Sequence, residues 1–375
     1  MDHDVSILTK SHFHGTNYNY LCKKDVYRIE KINGVQTYWI NTTIYRRNGL
    51  KRFISEIEFV LKCIFLSFNK IDRPDIIIAD SVTPINSLGG YLLAKLLKAK
   101  FIHQIRDIWP IALYHDGSLS KLNPLYLFFS AIEKFIYKKC DWICTALPHV
   151  HEHVKQSGGN SERITYIRNG ADLSVYSKFS SYSSTNRAFK FVYMGTISFA
   201  HDVITIVRAA KLIDDLNDVV TFHIYGNGVK KEECILESKK LGLKNVIFHD
   251  MIPKKDVPKI LSDSDLLLAP VLNSKAYTFG INLNKLYDYF ASGRPVLFSG
   301  NTPNDDVKEA SCGYSIDPED PIKMADCFRN FVSLSPAEKA VMGKNAKRYA
   351  DEFYNVDNLV QYFEKMCFEL IYFKP

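Results

Sequence analysis

Ala276-Tyr277-Thr278-Phe279-Gly280-Ile281-Asn282-Leu283-Asn284-Lys285-Leu286-Tyr287-Asp288-Tyr289-Phe290-Ala291-Ser292-Gly293-Arg294-Pro295-Val296 reads as a loop at Gly280, a helix from about Ile281, a glycine stop and a strand. The same punctuation recurs through the second half of the chain. Residues 189–195, 219–225, 245–249, 266–270 and 295–299 are short apolar runs, each followed by a helical segment. Buried strands alternating with helices specify a parallel sheet covered on both faces. The first half repeats the theme, with strands at 4–9, 35–40, 75–79, 101–105, 142–146 and 164–167 and helices at 50–68, 87–97 and 124–139. Residues 177–187, rich in serine, lack periodicity and read as a linker. The fold class is therefore α/β, with two doubly wound, Rossmann-like domains facing a cleft. They span residues 1–176 and 188–355, and an apolar helix within 356–375 is expected to return to the first domain.

In such sheets ligands bind outside the carboxyl ends of the strands. The helix quoted above offers free N–H groups and a positive dipole end, suited to a diphosphate, and Lys285 can add charge to it. Asp288 lies one turn on along the same face, where a carboxylate can accept the hydroxyls of a ribose. An amphipathic helix with an exposed Lys–Asp pair is the alternative reading of the same residues.

Composition bounds the function. The 375 residues are 46% hydrophobic and 24% charged, as in a folded globular protein. No apolar run has the length of a membrane span. The eight cysteines are scattered without a CxxC pair, and the first residues lack a signal peptide's basic start and apolar core, so a reducing cytoplasm is the expected compartment. Residues 1–175 hold 23 Lys/Arg against 16 Asp/Glu, whereas the remainder balances at 25 and 25, so the net charge of +7 sits in the first half. A basic half suits an anionic partner such as a membrane surface or a phosphorylated acceptor. No nucleic-acid-binding motif accompanies it. The Asp263-Ser264-Asp265 triplet mimics a metal-binding Asp-x-Asp but closes a helix before a buried strand, where a turn or cap is expected.

Six segments in order resemble the family-4 retaining glycosyltransferases of the GT-B fold, particularly those building bacterial O-antigen, capsule or exopolysaccharide. Ile105-Arg106-Asp107-Ile108-Trp109-Pro110 resembles the family's Arg-Asp-Leu-Trp-Pro strand end. Tyr166-Ile167-Arg168-Asn169-Gly170-Ala171-Asp172 resembles its Ile-Pro-Asn-Gly-Val-Asp segment. Tyr193-Met194-Gly195-Thr196-Ile197 matches the glycine loop that opens the donor domain. His223-Ile224-Tyr225-Gly226-Asn227-Gly228 resembles the strand ending in Gly-x-Gly, and Met251-Ile252-Pro253 the loop at the donor base. Asn284-Lys285-Leu286-Tyr287-Asp288-Tyr289 with Ser292-Gly293-Arg294-Pro295-Val296 is similar to the O-antigen subgroup's Asn-Lys-Leu-Phe-Glu-Tyr helix.

The resemblance implies a hexosyltransferase using a nucleotide sugar, with UDP as the expected carrier and a lipid-diphosphate-linked saccharide as acceptor. Gly195, Thr196, Gly226, Asn227, Gly228, Gly280 and Asn284 would line the donor phosphates and sugar. Ile252 and Pro253 would flank the base and Asp288 would hold the ribose. Lys285 would neutralise the leaving diphosphate, with Arg106 and Asp107 as catalytic partners and Trp109 and Asn169 on the acceptor side. No metal or other cofactor is implied, since lysine and helix dipoles can stabilise the leaving group. The expected location is cytoplasmic, peripheral at the inner membrane. There the basic first half would meet anionic lipid through two apolar helices. One has Leu50, Phe53, Ile54, Ile57, Val60, Leu61, Ile64 and Phe68 at helical spacing and Lys51, Arg52 and Lys62 on other faces, and the other spans 124–139 with Lys134, Lys138 and Lys139 at its end. Ordinary core helices covering the first sheet are the alternative reading.

The sequence departs from the family at four places. Gly280 stands where many members have a first glutamate, and Asp288 replaces the second. Residues 196–202 lack the basic side chains many relatives carry after the glycine loop. Relatives also precede the strand at 4–9 with a strand, turn and helix that have no counterpart in this sequence. The resemblance thus implies a gap in the middle of the first sheet, with the strands at 4–9 and 75–79 each exposing an edge unless they close on one another. A UDP-sugar 2-epimerase on the same fold, or a non-catalytic paralogue that binds nucleotide sugar, is the alternative function.

Overall fold

The computed structural model describes residues 3–12, 18–22, 24–45, 49–111, 114, 120–179 and 187–372. The chain divides into two compact units. The first comprises Met1–Thr145, Val150–Tyr166 and Lys365–Pro375, and the second Ala146–His149 and Ile167–Glu364. The segment 167–176, assigned by sequence to the first domain, groups with the second for a local reason. Arg168 pairs with buried Asp306 at 3.3 Å, Ala171 N–H donates to the Tyr354 carbonyl at 2.9 Å, and Tyr176 is buried. Most of the expected linker, residues 180–186, lies outside the described residues.

The first unit holds two sheets. β1 (Ser6–Lys10), β2 (Tyr27–Ile32) and β3 (Val35–Ile40) are ordered β1-β3-β2, with β2 antiparallel to β3. β2 is absent from the sequence reading because its Arg, Glu and Lys dilute the apolar signal. The Asn33-Gly34 turn, with φ of 49° and 87°, is the two-residue hairpin signature that marks it. β4 (Ile76–Asp80), β5 (Lys100–Ile105), β6 (Trp142–Thr145) and β7 (Ile164–Tyr166) form a parallel sheet in chain order.

Helices α1 (Leu50–Asn69), α2 (Pro84–Leu97) and α3 (Pro124–Lys139) pack in a row, and α4 (His151–Gln156) follows β6. Thr83 and Asn123 cap α2 and α3 ahead of a proline in the first turn, which sets where those helices begin. Gly89 and Gly90 let α2 approach both neighbours: a Cβ there would lie 2.4 Å from Val60 of α1 and 2.4 Å from Ala79 of β4.

Among the described residues β1 pairs only with β3 and β4 only with β5, so each keeps an open edge. Ile7 and Ile78 are each 46% exposed, and no residue of either strand is buried, although Ile76-Ile77-Ile78 is the apolar run of a strand covered on both faces.

The second unit is a six-stranded parallel sheet ordered β10-β9-β8-β11-β12-β13. Its strands are β8 (Phe189–Met194), β9 (Val220–Tyr225), β10 (Val246–His249), β11 (Leu266–Pro270), β12 (Val296–Ser299) and β13 (Gly313–Ile316). The helices are α5 (Val203–Leu212), α6 (Lys231–Lys240), α7 (Val257–Ser262), α8 (Asn284–Ala291), α9 (Asp306–Ala310), α10 (Pro321–Ser333), α11 (Pro336–Phe353) and α12 (Val356–Tyr372). Leu267 and Ala269 of β11 enter one core with α8 and α11, while Leu266 and Leu268 enter the other with α5 and α10. This alternation is what covering both faces requires. β8 and β11 flank the point where strand order reverses, so the loop after β8 borders the expected ligand crevice. α12 begins in the second unit and ends in the first, where Phe368 meets the His3 ring at 5.9 Å.

Candidate active site

Two glycine loops build the floor of the site in the second unit. Gly195 ends β8 and Gly226 ends β9, and their backbones touch: a Cβ on Gly226 would lie 1.9 Å from the Gly195 carbonyl oxygen. Gly228 is as tight against Ile197, at 2.1 Å. Gly195, Gly226 and Gly228 have φ of 152°, 140° and 153°, a region L side chains avoid. Gly195 N–H donates to the Tyr225 carbonyl at 3.0 Å and Ile197 N–H to the Asn227 carbonyl at 2.9 Å, locking the loops together. Thr196 and Asn227 are exposed at their tips. The three glycines themselves present only backbone beside the switch point, as a close phosphate needs.

Lys285 reaches this floor from the first turn of α8. Its Nζ donates to the Tyr193 hydroxyl at 3.0 Å and lies 4.1 Å from the centre of that ring, and Gly195 leaves it room. Loss of water around the ammonium lowers it to about 7. Among the described residues no carboxylate pairs with it. A cation held over an aromatic ring beside a glycine floor, without an anionic partner, is arranged to receive an anion. His201 stands nearby, bonded to Ser198, and burial with the Lys285 charge lowers it to about 4, so it is neutral near pH 7.

The helix starts later than the sequence suggests. Residues Lys275–Phe279 form a 3-10 turn, and Gly280 follows at φ 107°, where a Cβ would meet Pro148 at 2.5 Å. Asn304 then pins Ile281, accepting its N–H at 2.7 Å and donating to its carbonyl at 2.8 Å, so α8 begins only at Asn284. Gly280 therefore shapes the loop ahead of the helix and is not its first turn. The N-cap residue, Leu283, has no capping side chain, which leaves the first N–H groups of α8 without a side-chain acceptor.

Asp288 is half-buried and already engaged: its Oδ1 accepts from the Tyr176 hydroxyl at 2.7 Å. Burial raises its carboxyl above the ordinary range. Asn284 Oδ1 accepts from Asn169 Nδ2 at 3.0 Å, which sets Asn169 against the first turn of α8. Ile252 and Pro253 occupy the loop after β10, three and four residues past His249, whose ring stacks on Tyr225 at 4.1 Å.

Arg106, Asp107 and Trp109 belong to the first unit. Arg106 and Asp107 are exposed at the carboxyl end of β5, where Ser81 Oγ accepts both their N–H groups at 2.9 and 3.3 Å. Although the residue is exposed overall, partial loss of water around its carboxyl raises Asp107. Trp109 is partly buried between the Arg52 guanidinium and Phe129, in a packing role. Asp265 accepts from Arg187 and from Lys190 N–H, both at 2.8 Å, and Asp263 pairs with Lys190, so the acidic triplet ties strand starts together at the end of the sheet away from the glycine loops. Among the described residues no group of three or more His, Cys, Asp or Glu is placed to hold a metal ion.

Sequence reasoning missed Tyr193, Tyr176 and Asn304 as site residues. Tyr193 lies inside a quoted motif. Tyr176 and Asn304 touch the site from distant stretches, and no spacing rule connects them to it.

Two family models divide the chain between them: Glycosyltransferase Family 4 matches residues 1–175, and Glycosyl transferases group 1 matches residues 177–349. No curated protein is similar enough in sequence to count as a relative. Among solved structures, Alr3699/HepE of Anabaena in complex with UDP is similar at TM-score 0.65 and 14% identity, over 89% of this chain and 86% of that one. Sucrose-phosphate synthase of Thermosynechococcus elongatus matches at 0.72 and 14%, over 98% and 89%. The lipopolysaccharide outer core galactosyltransferase WaaB matches at 0.63 and 16%, over 90% and 85%.

Proposed function

Since the chain belongs to the family-4 glycosyltransferases of the GT-B fold, we propose that it moves a hexose, or an N-acetylated or deoxy hexose, from a UDP sugar to a lipid-linked saccharide. The observation that carries this reading is Lys285, held over Tyr193 against Gly195 without an anionic partner. The donor's diphosphate supplies the missing charge. Gly195, Gly226 and Gly228 offer backbone where the phosphates would approach, and the loop of Ile252 and Pro253 follows the neighbouring strand β10, where it would flank a base. UDP in the HepE complex, and WaaB as a lipopolysaccharide outer core galactosyltransferase, support the choice of donor and acceptor class.

In the proposed reaction the bond from the anomeric carbon to the diphosphate oxygen breaks, and the acceptor hydroxyl forms the new bond on the same face of the sugar. Its proton passes to the departing phosphate oxygen. Lys285 and the uncapped N–H groups at the start of α8 hold the charge of the leaving UDP, so no metal is required. Catalysis takes place at the inner face of a membrane, where the lipid acceptor resides.

The test is a panel of UDP sugars offered with undecaprenyl-diphosphate-linked saccharides, with product scored by mass and anomeric configuration by NMR. Chelator-treated enzyme should perform equally. Turnover of the donor without any acceptor, giving an isomeric UDP sugar, would overturn the reading.

A further inference from the structure

A cavity of about 400 Å³ lies in the first unit, between the end of α3, the start of β6 and the loop that leads from α4 to β7. Lys138 lines it from α3, Cys140 and Ile143 from the start of β6, and Gly158, Asn160 and Arg163 from the loop. Because β5, β6 and β7 run parallel, this is the amino end of the sheet. Arg106 and Asp107 stand at the opposite, carboxyl end. Two glycines bring the walls together. Gly158 has φ of 82°, and a Cβ there would lie 2.5 Å from Lys138 Cε, so a glycine lets the lysine stem cross the loop. A Cβ on Gly159 would lie 2.7 Å from Val154 and 3.0 Å from the Tyr137 carbonyl oxygen, which shows how closely the loop meets the end of α3.

Arg163 sets this cavity apart. Among the described residues five arginines are partly or fully buried. Arg52 donates to the Val82 carbonyl at 3.4 Å, Arg168 pairs with Asp306 at 3.3 Å, Arg187 pairs with Asp265 at 2.8 Å, and Arg294 donates to the Ser262 carbonyl. Arg163 alone has no acceptor, and Lys138 has none either. The carboxylates adjacent in sequence do not serve: Asp141 accepts the Phe101 N–H at 2.9 Å, and Glu162 is exposed and forms no ion pair. Burial pushes the Cys140 thiol up to about 12 against the pull of the Arg163 charge, so the thiol stays neutral. Asn160 Oδ1 accepts the Glu162 N–H at 2.9 Å, which leaves its Nδ2 free to donate. A guanidinium, an ammonium and an amide around one cavity, all without acceptors, are complementary to a phosphate. The volume is that of a small-molecule pocket, larger than a bare phosphate fills.

We propose that this cavity binds a phosphorylated small molecule, with its phosphate monoester on Arg163, Lys138 and Asn160 and its organic part against Ile143. The site lies outside the donor crevice of the second unit and is independent of the transfer reaction proposed above. Its occupant ties the end of α3 to the start of β7 and thereby stabilises the first unit.

Calorimetry on the whole chain with ribose 5-phosphate, inorganic phosphate and ribose, with and without saturating UDP, tests this. Ribose 5-phosphate should bind equally in both conditions, inorganic phosphate more weakly, and ribose not at all. Arg163→Gln with Lys138→Gln should weaken ribose 5-phosphate binding by about tenfold or more. Lys240→Gln, at an exposed position on α6, should leave it unchanged. The double variant should keep the wild-type melting temperature and UDP affinity, since neither side chain has an acceptor in the fold. Ribose 5-phosphate should also slow modification of Arg163 by phenylglyoxal, read by peptide mass. Absence of binding at millimolar ribose 5-phosphate overturns the proposal, as does binding abolished by UDP or undiminished in the double variant. Equal loss in Lys240→Gln would reduce the effect to diffuse charge attraction and overturn it too. Inorganic phosphate binding as tightly as ribose 5-phosphate would overturn the place given to the organic part. A chain that binds ribose 5-phosphate here but no UDP would keep this site and overturn only the proposed function.

Discussion

Lys285 Nζ and the Tyr193 hydroxyl are 3.0 Å apart, and the hydroxyl passes its own hydrogen to the Thr196 carbonyl at 2.6 Å. The lysine is thereby aimed at the glycine loop by a partner that does not neutralise it. Lys285→Met keeps most of the side-chain volume and removes the charge. Turnover should fall by about a hundredfold or more, as when an electrostatic stabiliser of the leaving group is lost. The melting temperature should be unchanged or higher, since a poorly hydrated charge has been removed. Full activity in Lys285→Met would place the diphosphate elsewhere.

The ammonium lowered to about 7 from 10.5 makes two pH effects predictable. Between those values the unfolded chain binds more protons than the folded one, so this group makes stability rise with pH across that window. Nucleotide binding runs the opposite way, because the diphosphate pairs with the protonated lysine. UDP affinity should decline above pH 7. At pH 8 binding should take up about one proton, measurable by calorimetry in two buffers of different ionisation enthalpy. Zero uptake would show that Lys285 is already fully charged in the free protein.

Tyr176→Phe removes the donor to Asp288 Oδ1 and leaves a half-buried carboxylate short of a partner. Stability should drop by about 1–2 kcal/mol. Asp288→Ala should raise the donor KM more than it lowers kcat, as for a group that binds ribose in ground and transition states alike. Comparing ribose 5-diphosphate with inorganic diphosphate isolates the ribose contribution, and an unchanged donor KM in Asp288→Ala refutes the role.

Gly226→Ala places a methyl group 1.9 Å from the Gly195 carbonyl oxygen at φ 140°. The two loops must separate, at a cost of about 2 kcal/mol or more, and UDP binding should be lost with them. Gly242→Ala, at φ 70° with nothing within 4 Å, should cost about 1 kcal/mol and spare UDP binding. Equal effects from both substitutions would mean that the contact between loops is unimportant.

The open edges of β1 and β4 should show in hydrogen exchange. Their amides should exchange much faster than those of β8 and β11, which are paired on both sides and buried. Ile7→Thr with Ile78→Thr should raise solubility with little loss of stability, because both side chains already face water. Slow exchange in β1 and β4 would mean that another strand occupies the gap in solution.

Periodicity and turn chemistry by themselves determined the alternation of strands and helices, and with it two parallel-sheet domains, because a two-residue or 3.6-residue repeat is a local property. α3 and β11 were read to the residue, the first from its Asn-Pro start and the second from its unbroken apolar run. Local patterns also located Gly195, Gly226 and Lys285, since each belongs to a strand end or helix start that marks itself. Partnerships were not legible. Tyr176 with Asp288, Asn169 with Asn284, Asn304 with Ile281 and Lys285 over Tyr193 each join stretches far apart in the chain, and no repeat or spacing records which ones meet. Only tertiary packing decides that. It also decided which side of α1 is core: the stripe of Leu50, Ile54, Ile57 and Leu61 is the more apolar in sequence yet faces water, because the fold lies against the side that carries Phe59, Cys63 and Leu66.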